Sequence, residues 1–162
     1  MRGKLGFGVS FTPRLAALAL AVVVQMLATG QAMADNETTF TLVSIQDEVT
    51  GAPGTKQGDM ITSRNTLYDA QTGASRGRQD FFSVITQTSD QPGEYAQVRE
   101  SQQTYTLADG LLMAEGIVLI PSDATQSQAH YAIVGGTGAY ANARGGVEFL
   151  GNGVYEFHVI TP

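Results

Sequence analysis

From Thr38 to the end of the chain, apolar and polar residues alternate in short runs rich in Val, Ile, Thr, Phe and Tyr, and no stretch holds a helical period. Gly, Asp, Asn and Pro punctuate the runs. The pattern predicts eight strands: Thr38–Glu48, Asp59–Asp69, Arg78–Thr86, Tyr95–Leu107, Leu111–Ile120, Gln128–Val134, Gly146–Leu150 and Val154–Ile160. Turn-forming residues join several of them at Asp69–Gly73, Ser89–Gly93, Ala108–Gly110 and Gly151–Gly153. Thr50–Gln57 and Pro121–Ser127 read as longer loops. Eight short antiparallel strands without helices leave an all-β sandwich or a closed barrel.

Alternation also sorts residues by face. In the second strand Ile61, Ser63, Asn65 and Leu67 share one side, and Met60, Thr62, Arg64, Thr66 and Tyr68 share the other. A lone buried guanidinium is costly, so the Arg64 side is assigned outside and Asn65 inside. Phe40, Leu42, Ser44 and Gln46 form one set in the first strand. Tyr155, Phe157 and Val159 are the core set of the last.

The first 34 residues follow a different rule. Arg2, Lys4 and Arg14 give a basic start, Leu15–Ala28 is uncharged and apolar, and Ala32-Met33-Ala34 is a small-x-small cleavage site. This pattern predicts a signal peptide over residues 1–34 and a mature domain over residues 35–162. The apolar run is shorter than the roughly 20 residues that span a bilayer, and no second one follows, so no membrane span is expected once the leader is removed. The expected location is periplasmic or secreted.

Removing the leader changes the charge. It holds three of the nine basic residues and none of the fifteen acids, which leaves six bases against fifteen acids and a net charge of −9. An acidic domain without a basic cluster repels phosphate backbones, so no nucleic-acid partner is expected. Cysteine is absent, which removes disulfides and thiolate chemistry.

The chemistry-bearing motifs are few. Gly136–Ala141 fits G-x-G-x-x-A, but Gly145-Gly146 would interrupt a following helix and no G-K-[ST] is present. The segment reads instead as a bend where glycine relieves steric limits. His130 and His158 are the only histidines and stand far apart, so no metal site is expected. No G-x-S-x-G elbow marks a serine nucleophile. What remains is a set of polar candidates for an apolar interior: Asn65, Ser44, Gln46, Glu115 and, near the bend, Arg144. Such groups must pair with one another, with water or with a ligand. They form either a satisfied internal network, with Glu115 then a surface carboxylate, or the orienting groups of a mostly apolar pocket.

Two segments carry a family likeness. Gly58–Gly77 contains Gly58-Asp59, Leu67-Tyr68-Asp69 and Thr72-Gly73, and Ala132–Gly146 contains Gly135-Gly136-Thr137-Gly138 and Ala143-Arg144-Gly145. In this order they resemble the signature regions of the dirigent and allene oxide cyclase barrel superfamily, from about Gly58 to the C-terminus. The resemblance implies an eight-stranded antiparallel closed β-barrel, wide enough for side chains or one small ligand. It also implies a role for Asn65, which resembles the asparagine that positions a water in allene oxide cyclase cavities. Where those enzymes carry a glutamate in the first strand, this chain has Ser44, with Gln46 two residues on. Asp47 and Glu115 are the stand-ins for the acidic cavity residues of dirigent proteins, and Phe81-Phe82-Ser83 replaces a G-x-C pattern.

The expected function is that of an exported barrel, acting without a cofactor, that binds a small hydrophobic molecule and guides its cyclisation or coupling by holding one reactive conformer. A non-catalytic carrier and a structural barrel with a packed interior are the alternatives. The resemblance further implies a homodimer or homotrimer.

Overall fold

The computed structural model describes residues 35–50, 55–91, 95–123 and 127–162. The strands are β1 Asn36–Thr50, β2 Met60–Asp69, β3 Ser75–Thr88, β4 Tyr95–Leu107, β5 Gly110–Pro121, β6 Gln128–Gly138, β7 Arg144–Gly151 and β8 Val154–Thr161. Each pairs antiparallel with its neighbour in sequence, and β8 returns to β1, so the sheet closes into a barrel. All eight predicted strands are present. The largest differences are at β3, which begins three residues earlier, and β6, which runs on to Gly138. The predicted leader lies outside the described residues, as do parts of the two predicted loops and of the Ser89–Gly93 turn.

The inner faces follow from alternation. Leu42, Leu67, Tyr105, Leu112, Val147, Phe157 and Val159 are almost wholly buried. Phe157 stacks on Phe40 at a centroid distance of 4.8 Å and meets Tyr105 edge-on at 4.8 Å, which ties β1, β4 and β8 together across the interior. Ile61, Asn65 and Leu67 point inward as predicted, while Arg64 lies outside with its Nε 3.0 Å from Asp80 Oδ1.

Bulges bend the strands enough to close the barrel. One falls between Gln46 and Glu48 in β1, another between Ile85 and Gln87 in β3. The glycine-rich segment differs from its predicted role as a separate bend: Gly135–Gly138 completes β6, and the chain then turns through Ala139–Ala143 into β7. Gly138 has a φ of 62°, and a Cβ there would stand 2.4 Å from the Asp109 carbonyl oxygen. Only glycine lets the β6–β7 turn nest against the β4–β5 turn, where Ala139 N donates to Asp109 O at 2.9 Å. The chain enters a strand at this point, so the helix a dinucleotide fingerprint requires does not follow.

Candidate functional site

The register places Asn65, Gln79 and Tyr105 side by side on the inner faces of β2, β3 and β4. Gln79 Oε1 accepts hydrogen bonds from Ser44 Oγ at 2.7 Å and Asn65 Nδ2 at 2.8 Å. Gln79 Nε2 donates to Gln103 Oε1, which also accepts from Tyr105 Oη. Five side chains from four strands thus form one network. The neighbouring row holds Ser83 and Ser101, whose hydroxyls are 2.8 Å apart.

Gln79, Gln103, Ser83 and Ser101 are almost fully buried, where an unbonded polar group costs about 1–3 kcal/mol. Two atoms of the network have no partner: Asn65 Oδ1, an acceptor, and Gln103 Nε2, a donor. Burial pushes the phenols of Tyr105, Tyr131 and Tyr155 above their ordinary range, and their mutual proximity adds to this for Tyr105 and Tyr131. The Gln79 and Gln103 amides act in the opposite sense on these rings. The phenols are therefore neutral near pH 7 and can donate hydrogen bonds.

Reading β4 outward from the centre gives Tyr105, Gln103, Ser101, Arg99 and Gln97 on one face. Exposure rises from 0% at Tyr105 through 2% and 3% to the half-buried Arg99 and Gln97, so this end of the stripe opens to solvent. Arg99 lies between Ile85 of β3 and Val118 of β5 in the register, both buried, which fixes its place on the inner face. Its Nε donates to Gln97 Oε1 at 2.9 Å, and burial depresses its guanidinium below the usual range.

Of the residues predicted to face the cavity, Asn65 and Ser44 are in the network. Three expected cavity positions are corrected. Gln46 keeps the inward parity of Leu42 and Ser44 and pairs with Asn65, but it is exposed and stands outside the network. Glu115 is on the outer face, where it accepts from Gln102 Nε2 at 3.3 Å, because Ala114 and Gly116 occupy the inward positions of β5. Arg144 is exposed at the start of β7 and ion-paired with Asp35. Asp47 is also exposed and accepts from Thr66 Oγ1. Sequence reasoning missed Gln79, Ser83, Arg99, Ser101, Gln103 and Tyr105. Counting back in twos from Leu107 would have found the four that lie on β4.

Between the rims, the described inner face presents hydroxyls, amides and one guanidinium, and no described carboxylate or imidazole. Asp59, at the rim, turns its carboxylate into its own turn, 2.9 and 3.0 Å from the Thr55 and Lys56 amides. His130 and His158 are exposed. On the outer face of β3–β6 lies a separate depression of about 430 Å³, lined by Phe82, Val84, Ile117, Ala132, Val134 and Glu115 among others.

The solved structures similar to this chain include one described as pyocyanin demethylase, at 27% identity and a TM-score of 0.60, covering 76% of this chain and 100% of that one. A nonspecific heme-binding cyclase that catalyses [4 + 2] cycloaddition during neoabyssomicin biosynthesis is 18% identical, with a TM-score of 0.51 over 99% of this chain and 79% of that one. The Diels–Alderase AbmU from Streptomyces koyangensis is 16% identical, with a TM-score of 0.50 over 98% and 81%. The last two likenesses are of fold alone. No curated protein matches the chain significantly. The family described as the allene oxide cyclase barrel like domain matches residues 37–152, well over half of the sequence. The protein is a member of the allene oxide cyclase-like barrel family.

Proposed function

We propose that the protein binds a small hydrophobic molecule inside its barrel and guides its cyclisation or coupling by confinement. The observation that carries this reading is the buried amide network with its two unmatched atoms, Asn65 Oδ1 and Gln103 Nε2. Buried polar groups in native proteins are normally bonded, and a donor and an acceptor left open inside an apolar barrel suit the polar atoms of a guest. The described interior offers no carboxylate or imidazole to move protons. It suits chemistry in which fixing one conformer lowers the barrier and neutral donors steady partial charge on an oxygen. Relatives described as a [4 + 2] cyclase, a Diels–Alderase and a demethylase support small-molecule chemistry on this fold. The reading needs no cofactor.

The same lack of an internal acid or base favours, as a second reading, a carrier that binds without turnover. One experiment serves both. The purified domain is screened against polyene, phenolic and fatty-acid-derived compounds by thermal shift, and each hit is followed by mass spectrometry for product. Asn65→Leu removes the open acceptor and is expected to weaken a hit about tenfold for each 1.4 kcal/mol lost. Equal binding by the variant would remove Asn65 from the site. A hit without product would favour the carrier.

Export and self-association belong to this proposal too. The basic, then apolar, then small-residue order of residues 1–34 supports secretion with a mature start at Asp35. The apolar lining of the outer depression on β3–β6, with Ile117 and Val134 well exposed, supports contact with a second copy of the chain.

A further inference from the structure

The outer face of β2 to β5 carries its charges in two groups. Arg64 and Arg78 share the single carboxylate of Asp80, at 3.0 and 2.9 Å, which leaves that group one positive charge in excess. Glu100 and Glu115 project from β4 and β5 with no basic partner among the described residues. Between the groups stand Phe82, which is 38% exposed, and Gln102. Two depressions of about 490 and 430 Å³ share these two side chains in their linings, so the face is continuous.

The strand register lays these side chains out as a grid. Phe82, Gln102 and Glu115 stand side by side in one row, and Arg64, Asp80 and Thr104 in the next. Glu100 lies one row beyond the first, beside Val84, and Arg78 one row beyond the second, beside Thr106. A diagonal through Phe82 and Thr104 divides the positive group from the negative one. Reflection across it exchanges Arg64 with Glu100, Arg78 with Glu115, and Asp80 with Gln102. When two copies meet face to face about a two-fold axis in the plane of contact, each residue lies over its reflected counterpart. Each pair formed in this way joins opposite charges or a carboxylate to an amide donor, and Phe82 meets its own copy.

We infer that two copies of the chain pack as a two-fold dimer through the outer face of β2–β5, with Phe82 on the axis and Arg64–Glu100 and Arg78–Glu115 pairs formed between the copies. This rests on the self-association proposed above, and it adds the symmetry, the surface and the pairing. The net charge of −9 beyond the leader makes two copies repel at long range, so a contact needs local complementarity of this kind. The exposed ring of Phe82 gives the contact an apolar centre inside a charged rim.

Sedimentation of the purified protein over a range of concentrations tests this, and a dimer is expected. Arg64, Arg78, Phe82, Glu100 and Glu115 are all exposed, so substitutions there alter the contact and not the core. Arg78→Glu and Glu115→Arg each set like charges together at two places, and each should weaken the dimer about tenfold or more. Mixed in equal amounts, the two variants should associate as the unaltered protein does, because both cross pairs are then restored. The chain has no cysteine, so Phe82→Cys supplies a single thiol that a short bis-maleimide should join to its partner. Glu148→Cys, on β7, should stay uncoupled. A trimer, single variants that dimerise normally, a mixture that stays monomeric, or an uncoupled Phe82→Cys would overturn the two-fold arrangement and leave self-association standing. A monomer at every concentration would overturn both.

Discussion

Strands β4 and β5 pair along nearly their whole length, yet their inner faces share almost no chemistry. β4 shows Gln97, Arg99, Ser101, Gln103 and Tyr105, whereas β5 shows Leu112, Ala114, Gly116, Val118 and Ile120. The apolar side continues through Ala129, Tyr131, Ile133, Val147, Phe157 and Val159 on β6 to β8. The polar side continues through Gln79, Ser83 and Asn65 on β3 and β2. A barrel needs only the first kind of wall to be stable, because hydrocarbon burial requires no partner geometry. The second kind must satisfy each donor and acceptor, and here it leaves two open. The contrast places the apolar packing mainly on β5–β8 and, on the proposed function, recognition mainly on β2–β4.

The sharpest way to break this division is Phe157→Ala. Phe157 is fully buried and touches both Phe40 and Tyr105, so its loss should cost about 3–5 kcal/mol in urea unfolding. A much smaller cost would mean that the apolar wall is loosely packed and not the source of stability.

A smaller effect, shared by both walls, is set by pH. The folded state holds the protons of Tyr105, Tyr131 and Tyr155 beyond the ordinary range, while the unfolded chain releases them near pH 10. A phenol with a raised folded pKa gives its full contribution below the unfolded value and loses it as pH climbs toward the folded one. Stability should hold up to about pH 9 and then fall, by less than about 1 kcal/mol per phenol by pH 10.5. Tyr140, outside on the β6–β7 turn, is pushed up to about 12 by burial and by Asp109 and adds in the same direction. Absorbance of tyrosinate at several pH values checks this, and ordinary titration of all the tyrosines in the folded protein would mean a water-filled interior.

The least effect is expected at Arg144→Ala. Its pair with Asp35 is about half exposed, so stability should change by about 0–1 kcal/mol. Ligand binding should be untouched, and a loss of binding would return Arg144 to the site from which its position removes it.

How much of this could be read from residues alone depended on whether the two faces of a strand differ. In β8 one face is apolar and the other largely polar, and in β2 the guanidinium of Arg64 marks the outer face, so alternation assigned Asn65, Phe157 and Val159 correctly. In β4 the run Arg99–Thr104 is polar on both faces, so hydrophobicity gives no hint that Arg99, Ser101 and Gln103 turn inward. The clue was Leu107 and Tyr105 further along, since period 2 carries the assignment back. Gln46 has the parity that alternation gave it, opposite Asn65, but it is exposed, and periodicity does not tell how deep along a strand a position lies. Glu115 needed only the parity of Leu112 and Val118. The family likeness supplied the closed barrel, which strand count alone left open against a sandwich.

The pairing of β1 with β8 also bears on the order in which the molecule can be made. Seven of the pairings join strands that follow each other along the chain and can zip up as short hairpins, but Asn36 meets Thr161 only when the two ends come together. Until then β1 and β8 are open edges, able to recruit a strand from another chain. The amides of Gln79 and Gln103 are meanwhile in reach of water, and their bonds to each other compete with it. Enclosure comes with the eight residues of β8, so deleting Val154–Thr161 should leave a hydrated, aggregation-prone sheet in place of a slightly weakened barrel.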